Sequence, residues 1–114
     1  MIKDWQQIAQ DHSAVLADVR KGLPEVMKAF GGLAQAATAE GALSSRTKEL
    51  VALALGVAVR CDGCIAFHAR AAQKFGASRE EILEIVGMGI YMGGGPSLMY
   101  GAQALEAYDQ FAAL

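Results

Sequence analysis

The sequence predicts an all-α fold: about six helices in one domain spanning residues 1–114, with an antiparallel helix hairpin at the centre. Three observations lead there. Apolar residues recur at helical spacing, and no stretch alternates apolar and polar side chains long enough to suggest a strand. Glycine, proline and serine fall between the periodic segments where helix ends and caps belong. A chain of 114 residues has the length of one domain and leaves no room for a second.

The first helix is expected over residues 3–20, with Trp5, Ile8, Val15, Leu16 and Val19 as a broken apolar stripe; Gly22 and Pro24 punctuate its end. Pro24 suits a first helical position and opens a second helix that reaches about Ala37, through the weak Gly31-Gly32 pair. Gly41 separates it from a third, which Ser44 or Ser45 caps. That helix runs into Leu50–Val59, an uninterrupted apolar segment that reads as buried on all sides. A fourth helix starts at about Asp62 and ends at Phe75, with Gly76 as its C-terminal cap. Ser78-Arg79-Glu80-Glu81 has the S-x-x-E pattern of a capping box and starts a fifth helix that reaches about Met92. Gly93-Gly94-Gly95-Pro96 breaks it, and a sixth follows from Pro96 to near Phe111.

Composition narrows the function classes. Apolar residues make up 54% of the chain and charged residues 19%, more apolar surface than a small monomer can hide, so a homo-oligomer is expected. The net charge of −2, with both signs interleaved, argues against a nucleic-acid surface or a polybasic membrane anchor. The longest apolar run is about half of what a bilayer span needs, and no signal-like stretch opens the chain, so a cytoplasmic location is expected. Tyr91 and Tyr100 fit a site or an interface equally well; Met88, Met92 and Met99 read as packing or subunit contact.

The chain has two cysteines, and they form Cys61-Asp62-Gly63-Cys64. In a reducing compartment such a pair points to redox or metal chemistry before a structural disulfide. Cys61 falls just before the fourth helix and Cys64 in its first turn, where unpaired N–H groups and the helix dipole favour a thiolate. His68 follows Cys64 by four residues, on the same helix face, in place to take the thiol proton directly or through water. Cys61 lies three residues before Cys64, ready to condense with a sulfenic acid into a disulfide. Glu49 is the last charge before the apolar run. In a hairpin turning at residues 60–61 it lies ~15 Å back from the turn, against ~3 Å for Cys64 and ~9 Å for His68. Glu49 is therefore expected to miss Cys64 and to reach His68 through a water or a bent side chain, orienting the imidazole. Zinc ligation by the two thiolates and His68 is the weaker alternative, because the one remaining histidine, His12, sits among polar residues and reads as solvated.

The stretch from Lys48-Glu49-Leu50 through Cys61-x-x-Cys64-x-x-x-His68 to Gly76, Ser78 and Glu81 resembles the carboxymuconolactone decarboxylase family. Within that family it looks most like the alkylhydroperoxidase D branch. The similarity covers about residues 43–90 and extends to Tyr91–Pro96. The resemblance implies a helical trimer or hexamer running a thiol-dependent peroxidase cycle without metal or organic cofactor. It further implies that Cys64 attacks the peroxide, Cys61 resolves, His68 and Glu49 relay protons, and an external dithiol restores the pair. The chain departs from the peroxidase members at Gly63, where they carry a second histidine. Two other functions share the same residues: a disulfide oxidoreductase acting on partner proteins, in which Cys61 is the attacking thiol, and a non-enzymatic oligomer whose dithiol senses redox state.

Overall fold

The computed structural model describes residues 1–114 as six helices without strands, in the order α1 (Trp5–Gly22), α2 (Pro24–Thr38), α3 (Ser45–Ala58), α4 (Asp62–Lys74), α5 (Arg79–Gly93) and α6 (Gly95–Ala112). All six predicted helices are present, with ends within about two residues of those expected. The caps explain the agreement. The Asp4 side chain accepts from the Gln7 N–H, the Ser44 side chain accepts from the Thr47 N–H, and Ser78 with Glu81 forms a complete capping box. Gly94 turns α5 into α6 at φ 68° and ψ −148°, a region that essentially only glycine occupies.

The core lies where α3, α4, α5 and α6 converge, around Leu53, Val57, Ile65, Ala69, Ile82 and Ala104, with Trp5 of α1 closing one end. Small residues bring the helices close. A Cβ on Gly101 of α6 would meet Val86 Cγ1 of α5 at 2.6 Å, so that crossing excludes any larger residue without movement.

One expectation is corrected here. α3 is not buried on all sides: Glu49, Leu50, Leu53, Gly56 and Val57 face the core, whereas Val51, Leu55 and Val59 are exposed. The reason is that α3 is covered on one side only, and α2, which contributes no buried residue, leaves the other side open. No helix is long and apolar enough to cross a membrane.

Candidate functional site

The site is built at the tight turn from α3 to α4. α3 ends in a Schellman motif: the Arg60 N–H donates to the Val57 carbonyl and the Cys61 N–H to the Gly56 carbonyl. Arg60 takes the left-handed position at φ 57°, where glycine is usual. The same Cys61 is the N-cap of α4, its Sγ accepting from the Cys64 N–H at 3.1 Å. One residue thus closes one helix and opens the next, which places Cys64 in the first turn of α4.

Cys61 and Cys64 are joined as a disulfide with a Cα–Cα distance of 5.1 Å, and both residues are half-buried. A Cβ on Gly56 of α3 would meet the Cys64 Cβ at 3.2 Å, so α3 passes close over Cys64 and a side chain there would press on it. The only sequence sign of this is an isolated glycine inside an otherwise apolar helix.

Glu49 and His68 meet directly. The Nδ1 of His68 lies 2.6 Å from Glu49 Oε2, with no bridging water required by the distance. The expected gap is therefore absent, because α3 and α4 cross closely enough for the two side chains to span it. Glu49 is the one buried charged residue, at 6% exposure, and His68 is half-buried. A carboxylate accepting from Nδ1–H fixes the imidazole's orientation and tautomer and leaves Nε2 as the nitrogen available to a thiol or a substrate. No three His, Cys, Asp or Glu side chains are arranged to hold a metal ion.

His12, expected to be solvated, is exposed but not free. Its Nδ1 lies 3.0 Å from the Ile8 carbonyl, and a Cβ on Gly63 would meet its Nε2 at 3.1 Å. The ring of α1's histidine thus occupies the place beside the dithiol turn where a residue other than glycine at position 63 would put its side chain. On the same turn, Asp62 pairs with Lys3 Nζ at 2.7 Å. Sequence reading missed both contacts, since residues about 50 to 60 positions apart carry no local signal for each other.

Fold and turn together place the chain among small all-helical proteins organised around a Cys-x-x-Cys helix start. The profile of the carboxymuconolactone decarboxylase family matches residues 24–107, and the chain belongs to that family. A crystal structure of an apo carboxymuconolactone decarboxylase family protein from Legionella pneumophila is 55% identical and superposes with a TM-score of 0.93, covering 95% of this chain and 96% of that one. An uncharacterised protein of Cupriavidus necator is 44% identical over 86 residues, 75% of this chain and 76% of its own. An uncharacterised protein of Haemophilus influenzae is 34% identical over 109 residues, 96% of each.

Proposed function

We propose that the protein is a thiol-dependent peroxidase of the alkylhydroperoxidase type, assembled as a homo-oligomer and restored by an external dithiol. The observation that carries this reading is the Glu49–His68 pair, bonded at 2.6 Å and anchored one helical turn after Cys64. A buried carboxylate that holds an imidazole, beside a thiol at a helix N-terminus, is the arrangement that activates a nucleophile.

In the reduced protein the helix start favours the Cys64 thiolate, and His68 accepts its proton through the free Nε2. The thiolate attacks the terminal oxygen of a small peroxide. The O–O bond breaks, sulfur takes the oxygen as a sulfenic acid, and the leaving alkoxide takes a proton from the His68 imidazolium to depart as an alcohol, or as water from hydrogen peroxide. Cys61 then attacks the sulfenic sulfur, forming the S–S bond and releasing water. An external dithiol reopens that disulfide by exchange and is itself oxidised.

Disulfide exchange with a partner protein is the second reading, favoured by glycine rather than a second histidine at position 63 and by half-exposed cysteines. One experiment separates the two. Reduced protein is mixed with cumene hydroperoxide or hydrogen peroxide, and free thiols are counted before and after. Loss of two thiols per chain with matching peroxide consumption, absent in Cys64→Ser, supports the peroxidase. Thiols that survive peroxide but exchange with an oxidised dithiol partner overturn it in favour of the oxidoreductase.

A further inference from the structure

Both residues between the two cysteines are held from the N-terminal end of the chain, Asp62 by Lys3 just before α1 and Gly63 by the imidazole of His12 on α1. Lys3 reaches Asp62, and His12 lies against Gly63 with three ring atoms facing the position of the missing side chain: Nε2 at 3.1 Å, Cδ2 at 3.2 Å and Cε1 at 3.5 Å. The ring is fixed in this pose from two other sides. Nδ1 meets the Ile8 carbonyl at 3.0 Å, and Phe67, one turn beyond Gly63, meets it edge to face at 6.4 Å between centroids. A carbonyl accepts only, so Nδ1 carries hydrogen, and Nε2, directed at the dithiol turn, is the nitrogen that gains or loses the proton. His12 also lines a shallow solvent-open depression with Asp11 and Val15, so the ring is open to water on that side.

We propose that His12 is a positioning residue of the dithiol site: its imidazolium, docked on Gly63, electrostatically favours the thiolate formed when the Cys61–Cys64 disulfide is reduced. With Nε2 at 3.1 Å from a Cβ on Gly63, its distance from the Cys64 Cα is at most ~8.5 Å, one Cα–Cβ bond and one Cα–Cα step further. The sulfur lies a side chain further, within roughly 11 Å, and a full charge at that range changes a thiolate equilibrium by about three- to tenfold in a partly solvated setting. The effect acts through space and the Gly63 backbone, without His12 touching either sulfur. Glycine at 63 is what lets the ring approach this closely.

The charged or titratable groups on the elements packed against α1 near His12 are Asp11 on its own helix; on α4, Asp62, held by Lys3, His68, bonded to Glu49, and Arg70, stacked over Phe67 at 5.1 Å; and on α6, Glu106, bonded to the chain start, and Asp109, paired with Arg79. On α2, the helix that follows, Glu25 and Lys28 make no hydrogen bond or ion pair with it. Carboxylates, lysine and arginine hold their charge between pH 6 and 8.5, so a change over that interval that is lost on replacing His12 belongs to the imidazole.

The inference rests on the dithiol's being redox-active, but its test does not use peroxide. The reduced full-length protein is alkylated with iodoacetamide from pH 6 to 8.5, and the rate is compared with those of His12→Gln and His12→Lys. His12→Gln is expected to react about three- to tenfold more slowly at pH 6, with the difference closing by pH 8.5. His12→Lys is expected to keep the fast rate at pH 6 and to exceed the parent at pH 8.5. A rate ratio for His12→Gln that is constant with pH, or equal rates throughout, overturns the role. Circular dichroism melting of each variant identifies any that fails to fold; Arg70→Gln, a charge removal on the same face of α4, then serves as the control and is expected to leave the pH profile unchanged. Parental profiles in His12→Gln with intact peroxide consumption reject this inference alone. A reproduced pH-dependent gap with no peroxide consumption rejects the peroxidase alone.

Discussion

At the scale of single residues, the site depends on side chains that each serve twice. Cys61 is a redox partner and also the cap of α4, where its sulfur accepts the Cys64 N–H. Serine is the stronger cap, so reduced Cys61→Ser is expected to hold its stability while losing disulfide formation. Cys61→Ala should lose about 1 kcal/mol, read by urea denaturation of the reduced proteins. Glu49 is buried and bonded to one imidazole nitrogen. Glu49→Gln keeps the shape but removes the charge that steadies a protonated His68. The peroxide-dependent loss of thiols is expected to slow by about tenfold or more, with the disulfide still formed at the end of the reaction. Both contacts were half-legible in the sequence. The spacing of Cys61, Cys64 and His68 marks one helix face, but whether Glu49 reaches His68 directly depends on how closely α3 and α4 cross, and Gly56 sets that approach.

At the scale of elements, the two Schellman turns show where sequence signals succeed and fail. α4 ends with Gly76 at φ 87°, its N–H donating to Gln73 and the Ala77 N–H to Ala72. α3 ends with the same hydrogen bonds around Arg60, which occupies the left-handed position without being glycine. The first turn is readable because glycine announces it. The sequence places the second at residues 60–61 but does not reveal its left-handed residue, because no glycine announces it and the packing of α3 on α4 imposes the conformation on Arg60. A left-handed conformation costs a side-chain-bearing residue roughly 1–2 kcal/mol, partly offset by the freedom glycine has in the unfolded chain. Arg60→Gly is accordingly expected to be more stable by up to about 1 kcal/mol, measured by chemical denaturation, with both cysteines still oxidised by peroxide. The capping box of α5 was legible for the opposite reason: all its partners lie within Ser78–Glu81.

At the scale of the whole molecule, α6 binds the start of the chain. The Glu106 carboxylate accepts from the Ile2 N–H, the Lys3 N–H and the indole N–H of Trp5, while Gln110 bonds Trp5 and Lys3. Desolvation pushes the Glu106 carboxyl up, but these N–H donors and the terminal ammonium outweigh it and hold it below its ordinary value of 4.5. A depressed carboxyl stabilises the fold above that value, and the contribution fades as pH falls through the folded one. Acid titration read by fluorescence of Trp5, the single tryptophan, should show stability falling below about pH 4.5, and Glu106→Gln should flatten that dependence. Elsewhere the surface is apolar and open: Val26, Phe30 and Leu33 on α2, with Val51 and Leu55 on α3, are exposed, Phe30 at 62%. Such a surface is what an oligomer contact covers. Sedimentation is expected to give a homo-oligomer, and Phe30→Glu should reduce it to monomer with its helix content retained.

The sequence by itself determined the helix count, the caps, the excess of apolar surface and the co-location of Cys61, Cys64 and His68, because each is written in residues a few positions apart. Only the tertiary structure decided that Glu49 touches His68, that α3 keeps one apolar face outside, and that Lys3 and His12 hold the two residues between the cysteines. Those outcomes depend on interhelical distance and on which faces neighbours cover, and neither leaves a periodic mark within a single helix.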